Sequence, residues 1–440
     1  MPDIPMREAI KFAIGGGWGD EAPCADTIPV RVFRGTYFAR SREGDYTSIP
    51  RRHESIRRVE RRQLQSGDVV MEISGGSQTS GQSTGRTLFL SDDNLMDLQD
   101  IAIPASFCRL VRFNEEHVES KYAYYCLQEM YMSGRVKLYE NQSTGISNFQ
   151  FEHFLDSEIL SVPPLGSQRS VVHVLETMDD RILLNLRIGE TLEEMAQALF
   201  RSWFVAFDPV RARAEGRELS LPVHMADLFP HRFSNSELGL IPESWTVEPL
   251  SKIADHLRET EHPGDSPSTS FSHHSIPAYD SGMVPVEQYG SSIKSHKAIV
   301  KPGAVLISRL NPEIERVWLP YVSNGERAVC STEFMVLMPR QPFTSSYLYC
   351  LARSKTFRHN VMSLVTGTSK SHQRAPAKSV MSIGVPVPPA EIVAAFDEYA
   401  KSILDRAQVH RAEASLLGLL RDVLLPRLVS GSAQSNVNVQ

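Results

Sequence analysis

The residues best suited to bind a charged ligand lie between Glu333 and Glu391, a segment with several basic residues and no acidic ones. Within it, TGTSKSHQRAPAK (366–378) combines glycine, short hydroxyl side chains, cations, a histidine and a glutamine. Cations and backbone N–H groups neutralise phosphates, while Gln, His and Arg side chains can hydrogen-bond to base edges. The pattern favours nucleic-acid binding over a solvated basic loop.

The first half of the chain carries polar segments of the same kind. SGGSQTSGQSTGR (74–86) is too long for a hairpin turn and too polar for a core, so it is either a binding loop or a solvated loop tip. RRHESIRRVERR (51–62) could present a cationic helix face, or pair its arginines with its own glutamates. GGGWG (15–19) would let a ligand approach the backbone closely.

Short motifs that mark common active sites are absent from the sequence. There is no GxxxxGKS/T or HExxH, and the five cysteines form no CxxC pair. Asn311-Pro312-Glu313 resembles the Asn-Pro-Pro-aromatic motif of adenine methyltransferases but lacks its second proline and its aromatic ring. We therefore expect no catalytic residues, no metal site and no ATP hydrolysis in this chain.

Composition is that of an ordinary multidomain globular protein. The 440 residues carry a net charge of −6 at pH 7, which argues mildly against unspecific nucleic-acid binding but allows local basic patches. No apolar run reaches the roughly 18–20 residues of a membrane span, and the first residues lack the pattern of a signal peptide. We expect a cytoplasmic protein without disulfides.

The chain repeats itself once. Matching segments follow in the same order: VVMEIS (69–74) and AVLISR (304–309), KYAYYCLQEM (121–130) and SYLYCLARSK (346–355), ILSVPPLGSQ (159–168) and IGVPVPPAEI (383–392). Each half begins with short strands and turns. It ends with one long helix, which starts at Pro-Pro because proline is accepted in a first helical turn.

Apolar residues at alternating steps of four and three predict a seam like that of a coiled coil on both long helices. The predicted seams run from 171 to 203 and from 392 to 424. Both seams are polar in the middle, at Asn185 and Gly189 in the first helix and at Arg406 and His410 in the second. We expect the two helices to pair antiparallel as spacers, although each could instead pack on its own domain.

The first helix ends in ALFRSWFVAFDPV (198–210), which is unusually aromatic. Leu199 and Trp203 lie on the predicted seam and are expected to be core. Phe200, Phe204 and Phe207 lie off it, so either the linker that follows the helix (208–240) or another protein must cover them.

Together these features resemble the specificity subunit of type I restriction–modification systems. The segments that carry the resemblance are GDVVMEIS (67–74), VPPLGSQ (162–168), ALFRSWFVAFDPV, LFPHRFSNSELGLIPESW (228–245) and the C-terminal LLRDVLLPRLVSG (419–431). The second half departs from the pattern, with Gly303-Ala304 where Gly-Asp is common and with PPAEIV lacking the usual Gln. The resemblance covers essentially the whole chain.

The resemblance implies an α+β fold with two mixed α/β target-recognition domains (1–160 and 241–385) on a pseudo-twofold repeat. Two long antiparallel spacer helices (161–207 and 386–431) join them, with a linker at 208–240 and a flexible tail at 432–440. Such a subunit is not an enzyme, and each domain reads half of a bipartite site in double-stranded DNA. Two methylation subunits supply S-adenosylmethionine and motor-nuclease subunits use ATP and Mg, so this chain is expected to hold no cofactor.

Candidate DNA contacts then lie in loops of the two halves. In the first half they are Ser77, Gln78, Ser80, Gln82, Arg86, Ser143, Thr144, Ser147 and Asn148. In the second half they are Arg309, Asn311, Thr368, Ser369, Lys370, His372, Gln373 and Arg374. Phe200, Phe204 and Phe207 are expected to contact a methylation subunit.

Two other functions remain open. A self-contained DNA endonuclease or methyltransferase would need its own active site, for which Asp100 with Glu119-Ser120-Lys121 is a loose candidate. A scaffold that binds only protein would leave no sequence-selective footprint on DNA.

Overall fold

The chain divides into two units, one formed by Met1–Leu183 with Leu417–Gln440 and the other by Leu184–Leu416. The structure is a computed structural model, and it describes residues 3–76, 83–143, 146–218, 221–365 and 373–430. Each unit combines sheets, short helices and a segment of each of two long helices, so the predicted mixed α/β fold is confirmed.

The first unit is built on a four-stranded antiparallel sheet in the order β2-β9-β5-β7. A second sheet has the order β4-β3-β8, with β3 and β8 parallel, and β10-β11-β6 and β1-β12 form smaller sheets. The strands are β1 (Asp3–Pro5), β2 (Ile10–Gly15), β3 (Thr27–Phe33), β4 (Arg51–Ser55), β5 (Val69–Glu72), β6 (Ser74–Gly76), β7 (Thr87–Phe89), β8 (Ala102–Pro104), β9 (Cys108–Phe113), β10 (Glu140–Ser143), β11 (Ile146–Phe149) and β12 (Ile159–Ser161).

Helices pack around these sheets. They are α1 (Met6–Ala9), α2 (Phe38–Arg42), α3 (Ile56–Arg62), α4 (Asp92–Leu98), α5 (Ser120–Met132), α6 (Phe151–Ser157) and the start of α7 (Leu165–Phe200). All four residues of β5 are buried, Glu72 included, so the strand lacks the alternation of a half-buried strand. Tyr122, Phe154 and Leu175 join α5, α6 and α7 in one core.

The second unit repeats this plan. Its four-stranded sheet has the order β16-β24-β21-β22, and β18 pairs in parallel with β23 in the order β17-β20-β23-β18-β19. The strands are β13 (Phe233–Ser236), β14 (Gly239–Pro242), β15 (Thr246–Pro249), β16 (Ala254–Leu257), β17 (Thr260–Glu261), β18 (Ser270–His274), β19 (Val286–Tyr289), β20 (Lys297–Ile299), β21 (Val305–Ser308), β22 (Val317–Trp318), β23 (Ala328–Cys330), β24 (Phe334–Pro339) and β25 (Gly384–Val387).

The helices of this unit follow the repeat as well. They are α8 (Asp208–Ala214), α9 (Val223–Ala226), α10 (Leu250–Ile253), α11 (Ile276–Asp280), α12 (Ser345–Arg353), α13 (Lys355–Ser363), α14 (Ala377–Met381) and α15 (Ala390–Val429). α12 corresponds to α5, and β15 pairs with β25 as β1 pairs with β12. Matching strand orders confirm the internal repeat.

Both long helices begin directly after their Pro-Pro pair, at Leu165 and at Ala390, as predicted. Gln168 of α7 is fully buried, and its amide donates to His117 O and Pro163 O at 3.1 and 2.8 Å. The corresponding position in α15 is Val393, which is buried in an apolar core instead. The second helix therefore lacks the hydrogen bonds that Gln168 makes, but it begins at the corresponding position.

The long helices run antiparallel within each unit. In the first unit Arg421 of α15 donates to Asp179 of α7 at 2.7 Å. In the second, His410 Nδ1 and Asn185 Oδ1 are 2.9 Å apart, and a Cβ on Gly189 would lie 3.4 Å from Ala407 O. Later residues of one helix thus meet earlier residues of the other, as predicted.

The predicted seam is correct on α7 but wrong on most of α15. Tyr399, Arg406 and Leu420 of the predicted seam are exposed, whereas Ala400, Leu404 and Ala407 are buried. A strict seven-residue repeat drifts by about 20° per heptad around a straight α-helix. The buried stripe of α15 follows the natural period near 3.6 instead.

Candidate nucleic-acid interface

About half of the predicted DNA contacts lie outside the described residues: Ser77, Gln78, Ser80, Gln82, Thr144, Thr368, Ser369, Lys370 and His372. Ser143 ends β10, but its side chain also lies outside the described part. The described part of the candidate interface consists of the residues that flank these segments.

In the first unit the structure brings the two predicted polar segments together. β6 pairs with β11, and Ser74 Oγ donates to Asn148 Oδ1 at 2.8 Å. The segment after Gly76 and the segment before Ile146 therefore start from adjacent strands. Asn148 is exposed there, whereas Ser147 is buried and is not available to DNA, so its prediction was wrong.

Arg86 was predicted to contact DNA, but it is engaged inside the chain. Its Nε and Nη2 atoms donate to Glu72 Oε2 and Oε1 at 2.8 and 2.7 Å, and the Glu72 carboxylate is buried. A bidentate pair of this kind is among the strongest protein hydrogen bonds. Arg86 therefore links residues on either side of segment 77–82 instead of reaching out to DNA.

Gly35 is required by this ion pair. A Cβ at Gly35 would lie 2.0 Å from Glu72 Oε1 and 2.7 Å from Arg86 Nη2, so no larger residue fits without displacing the pair. The turn from β3 into α2 is thereby held against the ends of β5 and β7.

In the second unit the predicted residues also converge. Asn311 N donates to Gln373 O at 2.9 Å, and Ala375 N donates to Arg309 O at 3.1 Å. The segment after β21 and the segment after residue 372 thus lie side by side. Asn311 adopts φ 47°, and its buried Oδ1 accepts no hydrogen bond from the described residues.

The two arginines at this edge are engaged by the chain. Arg374 Nη2 and Nε donate to the Glu333 carboxylate at 2.6 and 3.0 Å, and Arg309 Nη2 donates to Thr332 O at 2.9 Å. The hydrogen bond from Arg374 also holds the pKa of Glu333 below its usual value. Arg374 is thus ion-paired with an acidic residue 41 positions earlier, and its contact with DNA stays a prediction.

The aromatic end of α7 is core of the second unit. Phe200, Phe204 and Phe207 are 1%, 4% and 7% exposed, so their prediction as partner contacts was wrong. A π-helical turn at Arg201–Val205 follows α7 and shifts the residues after it out of the predicted register. Phe229 of the linker packs on Trp203, and Trp245, which follows the linker, packs on Phe207.

One cluster in the first unit was not predicted from the sequence. The guanidinium of Arg34 lies 5.5 Å from the ring centroid of Trp18 and 5.6 Å from that of Tyr37. The guanidinium of Arg52 also lies 5.0 Å from the ring centroid of Trp18. GGGWG was the only signal, because nothing local indicates which arginines the tryptophan meets.

The loose active-site candidates of the alternative hypothesis have structural roles. Asp100 accepts from Arg31 and Arg51 at 2.9 and 3.0 Å, and the Glu119 side chain caps α5 by accepting from Tyr122 N. Lys121 pairs with Glu176. Within the described ranges, no three His, Cys, Asp or Glu side chains are grouped to hold a metal ion.

Every helix in the described part of the chain is too short or too polar to span a lipid bilayer.

Comparison with known proteins supports the resemblance found in the sequence. No family model matches the chain. The specificity subunit of the type I restriction enzyme HindI from Haemophilus influenzae is 23% identical over 444 aligned positions, covering 84% of this chain and 87% of that protein. The fold is similar to that of a type I restriction–modification S subunit from M. genitalium, with a TM-score of 0.54, 12% identity and coverage of 97% and 96%. The predicted resemblance is confirmed.

Proposed function

We propose that this chain is the DNA-binding specificity subunit of a type I restriction–modification complex, and that it directs the chemistry of other subunits rather than performing any. The repeated unit is the observation that carries this proposal. Each unit has a four-stranded sheet of corresponding strand order and a parallel strand pair in its second sheet, and each brings two polar segments to one edge. A duplicated reader of this kind fits a DNA site with two separate halves.

Within this proposal each unit binds one half of the bipartite site through segments whose ends the structure describes. Asn148 in the first unit and Gln373 in the second stand at those ends with amide groups that can pair with base edges, and Asn311, whose Oδ1 is buried, lies beside Gln373. The chain itself holds no cofactor. S-adenosylmethionine, ATP and Mg act in the methylation and motor-nuclease subunits.

The experiment that tests this function is mapping of methylated adenines in cells with and without the gene. We expect one bipartite motif to be methylated only when the gene is present. Swapping residues 241–385 for the same domain of a relative should change one half of the motif and leave the other. If the purified chain alone methylates or cleaves DNA, it is instead a self-contained enzyme.

An exposed apolar face of α15 supports the presence of a protein partner. Leu419, Leu420 and Val423 are 64%, 45% and 58% exposed and share one face of the helix. Contiguous apolar surface on a helix marks an interaction site more often than isolated residues do. We assign this face, in place of the buried phenylalanines, to a methylation subunit.

Leu419→Asp is expected to reduce the amount of co-purified methylation subunit about tenfold or more, as loss of an interface hot spot does. The thermal unfolding midpoint of the chain alone should not change, because Leu419 contributes little to the core. Val223→Asp is the matched control, since Val223 is exposed but lies in α9. Equal retention of the subunit by both variants would contradict the assignment.

A further inference from the structure

The cluster of Trp18, Arg34 and Tyr37 holds a positive charge that no carboxylate of the described residues neutralises. Arg34 makes no ion pair or hydrogen bond to a carboxylate among the described residues, and its side chain is partly exposed. Its neighbours differ. Arg31 pairs with Asp100 at 2.9 Å, and Arg52 pairs with Glu21 at 2.6 Å.

The two aromatic rings orient Arg34 without using its hydrogen-bonding capacity. A guanidinium carries five N–H donors, and the face of an aromatic ring attracts its charge but does not satisfy those donors. Long side chains normally lose rotamer entropy when they bind, and a guanidinium already held between rings loses less. Arg34 is therefore preorganised for an anion that supplies oxygen acceptors.

The position of Arg34 places this cation beside the candidate interface of the first unit. The next residue, Gly35, lies against the Glu72–Arg86 ion pair. Glu72 is the last residue of β5, and Arg86 directly precedes β7. The ion pair therefore lies at the ends of the two strands between which segment 77–82 falls in the sequence. Arg86 binds both oxygens of Glu72, and no hydrogen bond or ion pair joins Glu72 to Arg34 among the described residues.

We propose that Arg34, held between Trp18 and Tyr37, binds a backbone phosphate of duplex DNA at the edge of the first unit. This inference rests on the proposed function and deepens it by naming a contact. Phosphate is the anion that the duplex presents regularly, and a planar guanidinium can bind two of its oxygens at once. Arg34 would fix the position of the duplex on this unit and carry no sequence information itself.

Salt-dependent DNA binding tests this contact. The assembled methylation complex is titrated by fluorescence anisotropy against a duplex carrying the mapped motif and against a scrambled duplex, at several salt concentrations. Arg34→Gln should weaken binding to both duplexes by about tenfold at low salt. The slope of log affinity against log salt should become less negative by about 0.9, the value for one lost phosphate contact.

Two further variants make the result specific. Arg34→Lys keeps the charge and should recover most of the salt slope while regaining only part of the affinity. Arg181→Gln removes the same charge from an exposed residue of α7 outside the candidate binding segments, and should leave both quantities unchanged. An unaltered slope in Arg34→Gln, or an equal loss in Arg181→Gln, overturns the inference.

Failure of this inference and failure of the proposed function give different results. Preference of the unmodified complex for the mapped duplex over the scrambled one tests the proposed function. The change in salt slope between the unmodified complex and Arg34→Gln tests the contact on either duplex. Equal unfolding midpoints for the two proteins show that the change reflects binding.

Discussion

Replacing Phe204 with alanine is expected to destabilise the second unit by about 3–5 kcal/mol, the usual cost of removing a buried phenylalanine ring. Phe204 is 4% exposed. Its ring centroid lies 5.1 Å from that of Tyr347 on α12 and 5.2 Å from that of Phe396 on α15. It also contacts the ring of Trp245, which follows the linker. The ring thus joins four segments that are far apart in sequence.

Calorimetric unfolding of the chain measures this effect, with the transition of the second unit resolved from that of the first. Val205→Ala is the matched control because Val205 is the next residue and is 38% exposed, against 4% for Phe204. We expect a change below about 0.5 kcal/mol for that variant. A Phe204→Ala chain that unfolds normally but fails to assemble with a methylation subunit would return this residue to an interface role.

The second large effect is expected at Glu193, a buried carboxylate on α7. Tyr349 Oη donates to Glu193 Oε1 at 2.8 Å, and Arg353 Nη1 donates to Oε2 at 2.6 Å. Arg411 of α15 donates to Oε1 at 2.5 Å. One side chain of α7 therefore ties α12 and α15 together within the second unit.

Glu193→Gln should destabilise the second unit by about 3–5 kcal/mol, because it removes the carboxylate that pairs with the largely buried guanidinium of Arg411, while Arg353 keeps its ion pair with Glu315. The side chain keeps its volume, so the loss reports electrostatics rather than a cavity. Glu194→Gln is the matched control, since Glu194 is exposed on the same turn. Denaturant unfolding of both variants at pH 7 makes the comparison. Similar stabilities would show that the network contributes little.

The contribution of Glu193 should also depend on pH. Burial alone would raise the pKa of this carboxyl, but the hydrogen bond from Arg411 and the charges of Arg411 and Arg353 outweigh it and lower the pKa. A lowered folded-state pKa stabilises the protein fully above the ordinary value of 4.5, and the stabilisation is lost as pH falls through the folded value. The difference between the unmodified chain and Glu193→Gln should therefore shrink below about pH 4.5. A constant difference down to pH 3 would contradict this account.

The sequence alone determined the features that depend on nearby residues. VVMEIS and AVLISR, which contain the buried strands β5 and β21, could be matched between the halves because a short, mostly apolar run is a local signal. The Pro-Pro pairs predicted both helix starts to within a few residues, since proline acts on its own turn. The repeat, the antiparallel helices and the resemblance followed from the order of such signals.

Only the tertiary structure decided which groups face outward. Arg86 and Arg374 carried the right chemistry for DNA, but Glu72 and Glu333 pair with them across the fold. Phe204 was assigned to a partner because its covering residues, Tyr347 and Phe396, are more than a hundred positions away in sequence. Charge pairing and ring packing depend on distances in space, which no local pattern records. The same reason applies to Arg34. Only the folded chain shows that no carboxylate of the described residues pairs with it, while Arg86, Arg31 and Arg52 bind the carboxylates nearby.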